Sequence, residues 1–169
     1  VLNGVSKVYY APGWRIGYLA IHDPKKRLLN IRDGIERLLR SRLCASTPAQ
    51  IGYLAGLDSD RTWMKSYSEK VVRQRDLCVE RISNIEGLEV QSSGGAFYMF
   101  VKLTDPKWQD NDKEFVLQLL HEEHVLVVHG SGFSPELGKG HFRIVYLPNV
   151  DILNEAFDRI ERFLSRHRD

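Results

Sequence analysis

The sequence predicts an α/β fold in two parts: the tail of one α/β domain over 1–60, then a smaller, complete α/β domain over 61–169. Three observations lead there. Of the 169 residues, 43% are hydrophobic and 27% charged, enough to bury a core and too apolar for a disordered tail. Short strand-like runs alternate with segments of helical period. Near residue 60 the pattern shifts, and one long helix opens a mixed unit of strands and helices.

The elements follow in order. Residues 1–5 and 15–21 read as short strands around a loop holding Tyr9, Tyr10, Pro12 and Gly13. Asp23 and Pro24 open a helix over 25–42, with Pro in the first turn. Leu28, Leu29, Ile31, Ile35, Leu38 and Leu39 give it an apolar side to bury. Ser46, Thr47 and Pro48 start a second helix ending about Leu57. Ser59 and Asp60 cap a long helix running to about Ile85, with Trp63, Met64, Tyr67, Val71, Leu77 and Ile82 as core positions. Glu86 and Gly87 stop it. Residues 88–91 form a strand, and Ser92, Ser93, Gly94 and Gly95 a turn. Residues 96–103 form an aromatic-rich strand. Asn111 and Asp112 cap a helix ending near His124, followed by strands over 125–128 and 141–147. A last helix turns Leu153, Ala156, Phe157, Ile160, Phe163 and Leu164 inward.

Composition excludes several functions. Apolar runs are short and interrupted, so no membrane span is expected. The two cysteines, Cys44 and Cys78, form no CxxC pair, which argues against a disulfide scaffold or zinc site and suits a cytoplasmic setting; both read as small buried hydrophobes. No metal site is expected, since His121 and His124 sit beside Glu122 and Glu123 on a solvated helix end. The net charge is +2, yet 25–42 holds seven basic residues against two acids. No aromatic is interleaved there, so nucleic acid is not expected as a partner. Val1 opens the chain without an initiator Met or a charged leader, and the expectation is a chain that continues upstream.

The densest chemical signal is Ser6 and Lys7, with Arg15 eight positions after the lysine, in the run Asn3-Gly4-Val5-Ser6-Lys7-Val8-Tyr9-Tyr10-Ala11-Pro12-Gly13-Trp14-Arg15-Ile16-Gly17-Tyr18. A lysine at a strand end, beside aromatics and near another cation, is placed to become a nucleophilic amine if buried. An arginine at the next strand offers a planar fork for phosphate. Gly13 and Gly17 would let backbone approach a ligand. Spacing alone leaves a second reading open: a surface lysine and a structural arginine in a turn.

This run resembles the lysine region of fold-type I, class I/II pyridoxal-phosphate-dependent aminotransferases: Ser-Lys, an aromatic loop, then Gly-Trp-Arg-Ile-Gly-Tyr. The resemblance spans the chain. Gly94-Gly95-Ala96-Phe97-Tyr98 resembles the small-domain Gly-Gly-x-Phe strand. Val127-Val128-His129-Gly130-Ser131-Gly132-Phe133 resembles the family's Val-x-Pro-Gly-x-x-Phe segment, and His141-Phe142-Arg143-Ile144 the strand bearing the substrate-carboxylate arginine.

The resemblance implies a C-terminal remnant of the large cofactor-binding domain over 1–60 and the whole small domain over 61–169. It implies amino-group transfer between an amino acid and a 2-oxo acid, with pyridoxal 5'-phosphate held as an internal aldimine on Lys7. Arg15 would clamp the cofactor phosphate, Ser6 would add a hydroxyl, and Arg143 would hold the substrate α-carboxylate. Without the resemblance, Arg143 reads as an arginine alternating out of a half-buried strand. Gly4, Pro12 and His129 depart from the family's pattern and leave the phosphate cup less defined than the lysine. The family places the partner of the pyridine nitrogen and the ring-stacking aromatic before the lysine, and works as a dimer. The expectation is therefore a homodimeric parent and an inactive isolated piece. Two alternatives stand beside it: β-elimination, cyclisation or decarboxylation on the same scaffold, and a non-enzymatic binding or assembly module.

Overall fold

A computed structural model describes residues 1–168. The chain divides into two compact units, Val1–Arg61 and the part from Thr62 onward.

In the first unit, β1 (Leu2–Gly4) pairs antiparallel with β2 (Gly17–Leu19), in the register Leu2↔Leu19, Asn3↔Tyr18, Gly4↔Gly17. Between them lie the one-turn helix α1 (Val5–Val8) and a 3₁₀ turn, Pro12–Trp14. Helices α2 (Leu29–Arg42) and α3 (Thr47–Asp58) follow. The strands are shorter than the sequence suggests, because the chain leaves the ladder at Gly4 to wind α1. Helix α2 begins four residues later than expected. The Asp23 carboxylate takes the N–H groups of Arg27 and Leu28, at 2.9 and 2.7 Å, and holds the preceding segment in turns. The apolar side expected to be buried on α2 is open: Leu38 is 73% and Leu39 60% exposed. Cys44 is exposed as well, against expectation, because it follows the last turn of this uncovered helix.

The second unit holds α4 (Thr62–Asn84), β3 (Leu88–Val90), β4 (Tyr98–Leu103), α5 (Pro106–Gln109), α6 (Asp112–Glu123), β5 (Val128–His129), β6 (His141–Val145) and α7 (Val150–Arg166). Its four strands form an antiparallel sheet in the order β3-β4-β6-β5. Alternation assigns the faces. Met99, Val101 and Leu103 of β4, with Phe142 and Ile144 of β6, point into the core. There they join Cys78 and Ile82 of α4, Phe115 and Leu119 of α6, and Leu153, Phe157, Ile160 and Phe163 of α7. Tyr98, Phe100, His141 and Arg143 alternate onto the other face.

The buried stripe of α4 is Gln74, Cys78 and Ile82, whereas Trp63 is exposed. Gln74 is a polar residue no apolar pattern selects. Its side-chain amide donates to the carbonyls of Leu147, at 3.2 Å, and Pro148, tying α4 to the chain leaving β6. Trp108, on the unanticipated α5, packs edge-to-face on Phe115 with centroids 5.5 Å apart. The expected strand over 125–128 is reduced to Val128 and His129.

Candidate active site

The first unit builds one closed loop. Its base is the Gly4–Gly17 pair and the Val5 N–H to Ile16 carbonyl bond, 3.2 Å. Gly17 has no room for a side chain: a Cβ there would lie 2.6 Å from the Asn3 carbonyl oxygen. The sequence reading gave Gly17 to a ligand; the partner strand is what needs it. Gly13 has open space around it.

From this base α1 projects Ser6, half-buried, and Lys7, exposed. Val5 beside them is 1% exposed and anchors the turn. The burial expected for Lys7 is not supplied within this unit. On the return limb, Arg15 caps the 3₁₀ turn with φ 53° and ψ 39°, and donates from Nη1 to the Pro12 carbonyl at 2.9 Å. Tyr10 also has a positive φ, 52°. Two bulky non-glycine residues in the left-handed region, five positions apart, mark a backbone held in shape by its surroundings.

Helix α3 supplies part of that hold. Gly52 and Gly56 are one turn apart and form a notch. A Cβ on Gly52 would lie 2.6 Å from Trp14 Cη2, and one on Gly56 would lie 3.1 Å from Tyr9 Cε1. Tyr53 meets Tyr9 edge-on at 5.7 Å and stacks with Tyr18 at 6.3 Å. Desolvation, and then its neighbouring tyrosines, raise its pKa. Thus Tyr9 and Trp14, which lie within the Lys7–Arg15 loop, seat against α3. Sequence reasoning took Tyr9 and Trp14 as parts of a motif and missed their receptor. The signal was present as glycines four apart inside a helix, where glycine is otherwise unfavourable.

The second unit carries Arg143 on the open face of its sheet. Its Cζ lies 4.6 Å from the ring centroid of Tyr98 and 4.6 Å from that of Phe133. Its Nε is buried and makes no hydrogen bond among the described residues. Gln74 Oε1 and Trp108 Nε1 share that condition, but on residues each 2% exposed in the interior. No carboxylate among the described residues pairs with Arg143. A guanidinium presents five donors in a planar fork, and a buried donor left unpaired is costly. The arrangement suits an incoming carboxylate. His129, at the position where the family's proline was expected, accepts from the Gly132 N–H through Nδ1 at 3.1 Å and contacts Ser131 Oγ at 3.0 Å. It shapes the turn that leads to Phe133.

The remaining chemistry is structural. Glu123 is 4% exposed and takes Arg162 at 2.6 Å, and Arg166 as well. Hydrogen bonding from Arg162 holds its carboxyl below the usual range, against the opposing effect of burial. Burial pushes the Cys78 thiol up to about 12, so this sulfur is an inert core group, as expected from sequence. No described helix is long and apolar enough to cross a membrane.

Comparison with known proteins places these features in a lineage. The model for the class I and II aminotransferases matches residues 1–160. The chain is 37% identical to a glutamate-pyruvate aminotransferase of Haemophilus influenzae, covering 99% of this chain and 42% of that protein. It is 34% identical to an alanine aminotransferase of Mycobacterium tuberculosis, covering 98% of this chain and 39% of that protein. Among solved structures, alanine aminotransferase from Pyrococcus furiosus superposes with a TM-score of 0.94 at 48% identity, over 99% of this chain and 42% of that one. The chain thus spans about two-fifths of the length of the relatives it matches. The lysine loop, the aromatic strand and the Arg143 strand all fall inside the matched residues, and the chain belongs to the class I and II aminotransferase family.

Proposed function

We propose that this chain contributes the cofactor-anchoring loop and the substrate-carboxylate site of an aminotransferase that exchanges an amino group between alanine and a 2-oxo acid. One observation carries the reading: Lys7 and Arg15 occupy the two limbs of a single loop, closed at Gly4 and Gly17 and seated on α3 through Tyr9 and Trp14. Alanine is named because the relatives above are alanine and glutamate-pyruvate aminotransferases.

The donor set fits pyridoxal phosphate. The Lys7 amine suits its aldehyde, and the Arg15 guanidinium with the Ser6 hydroxyl suits its phosphate. Bound there, the cofactor supplies the electron sink that lets a Cα–H bond of an amino acid break. The residues of this chain do the rest. Lys7 Nζ would hold the cofactor through its aldehyde and, as a free amine, would serve as the base that takes and holds the substrate's Cα proton. Arg15 offers a charge-assisted fork, and its constrained backbone keeps that fork at a set distance from α1. Arg143 grips the α-carboxylate by two N–H groups, fixing which Cα bond stands ready to cleave.

The first unit is read as part of the cofactor-binding domain and the second as the small domain. The active protein is a homodimer with amino acid and 2-oxo acid as its substrates. A cytoplasmic site agrees with two cysteines that are both free. The test is covalent trapping. The full-length protein, incubated with pyridoxal phosphate and reduced with borohydride, should yield a pyridoxyl adduct on the Lys7 peptide, and Lys7→Ala should lose both adduct and alanine–2-oxoglutarate exchange. Exchange surviving in Lys7→Ala would sink the assignment.

A further inference from the structure

We propose that Tyr98 and Phe133 are positioning residues for the substrate carboxylate, acting through Arg143: their rings hold the guanidinium in place while leaving its N–H fork unspent. The proposal rests on the reading of Arg143 as the carboxylate ligand.

Three observations carry it. First, both rings stand 4.6 Å from Arg143 Cζ, within the range of cation–π attraction. An arginine whose Nε is buried is usually steadied by an acidic partner. Such a partner would neutralise the charge and occupy the fork. Aromatic faces steady the cation without competing for a single N–H, and the unpartnered Nε is the consequence. Second, the rings come from separately secured places. Tyr98 opens β4, where Tyr98 pairs with Val145 across the ladder, and its ring packs on Phe97 at 4.6 Å. Phe133 follows the Gly130–Gly132 turn. Its N–H donates to the Gly130 carbonyl at 2.8 Å, and the Ser131 N–H donates to the buried carboxylate of Asp112 at 2.8 Å. Gly130 and Gly138 lie backbone to backbone, with no space for a side chain on either. The turn therefore sets the Phe133 ring by hydrogen bonds and close approach. Third, Phe133 is 53% exposed and lies outside the core. Its ring meets Phe100 edge-on at 6.0 Å and the guanidinium at 4.6 Å, so what it touches is the open face that carries Arg143, not the interior.

Physically, a two-point grip on a carboxylate needs the guanidinium plane fixed before the ligand arrives. Arginine has a long flexible stem, and losing one ring should let the plane wander. The effect should fall on ligand capture.

The test uses the full-length holoenzyme and steady-state exchange of alanine with 2-oxoglutarate. Phe133→Leu and Tyr98→Leu are expected to raise KM for both substrates about 10-fold, with kcat within about threefold, and Phe133→Tyr and Tyr98→Phe to restore wild-type KM. A second readout needs no turnover. Phenylglyoxal modification of Arg143, followed by peptide mass, should be at least threefold faster in the leucine variants, and slowed by pyruvate in the wild type. Arg143→Gln serves as the reference and should lose kcat/KM by about 100-fold. If Arg143→Gln is inactive while both leucine variants keep wild-type KM and labelling rates, the cradle is wrong and the carboxylate reading stands. If Arg143→Gln turns over normally, both fall. A loss of kcat together with melting temperature, unrescued by the conservative variants, would make the rings merely structural and also overturns the proposal. Should Tyr98→Leu fail to fold, Phe133→Leu alone decides, since that ring is outside the core.

Discussion

At the scale of single residues, the two candidate cationic sites are built by opposite means. Arg15 is held by its own backbone, in a left-handed conformation with its side chain returned to the Pro12 carbonyl. Arg143 is held by neighbouring rings on a regular strand. Substitutions should separate them. Arg143→Lys keeps the charge but loses the fork, and should cost about 2–3 kcal/mol in kcat/KM, roughly 30- to 150-fold. Gly17→Ala places a methyl 2.6 Å from the Asn3 carbonyl and should destabilise the β1–β2 pair by about 1–3 kcal/mol, read as a lowered denaturation midpoint. Both sites sit on residues whose chemistry is plain in the sequence. What the sequence hid was their supports. Gly52 is an ordinary helical glycine until Trp14 is seen against it, and Asp112 a first-turn acid until the Ser131 N–H is seen on it.

At the scale of elements, α3 and the α6–α7 pair are the informative cases. Gly52→Ala should disturb the seat of Trp14, the residue before Arg15. The expected result is weaker pyridoxal phosphate binding, about 10-fold in Kd by fluorescence titration, with little change in helix content. Helices α6 and α7 are joined through Glu123. Arg159 donates to its carbonyl at 2.9 Å, while Arg162 and Arg166 take its carboxylate. The folded carboxyl is depressed below its ordinary value of 4.5. Its contribution is therefore present above that value and lost as pH falls through the lower folded one. Glu123→Gln should melt about 5 °C lower at pH 7, and the gap from wild type should close as the pH drops below 4. A gap that persists unchanged at pH 3 would show that packing, and not the charge, is lost.

At the scale of the whole molecule, the two units differ in what they bury. From Thr62 onward the chain has a continuous core running through Cys78, Met99, Trp108, Phe142 and Phe163. In Val1–Arg61 the buried apolar residues are Val5 and Ala49, and α2 buries none. Folding requires buried apolar area to offset chain entropy. The segment from Thr62 should therefore unfold cooperatively when expressed alone, whereas 1–61 alone should give the circular dichroism of a largely unfolded chain. A cooperative melt of 1–61 would contradict this.

Legible in the residues alone were the family, the order of the longer elements and the chemically able side chains, while the short helices α1 and α5 were not. Lysine, arginine and glycine at fixed spacings are local facts, and helical period in α7 or alternation in β4 is readable from a few neighbours. Tertiary structure decided what those local patterns meet. It left the apolar side of α2 open, put Gln74 in place of Trp63 in the stripe of α4, and gave Gly17 to a partner strand. It also set two rings beside Arg143 from segments 35 positions apart in the chain. A periodic pattern states that a face is apolar or a strand alternates. Which distant atoms arrive there depends on pairing register and helix packing, and these are properties of the folded chain alone.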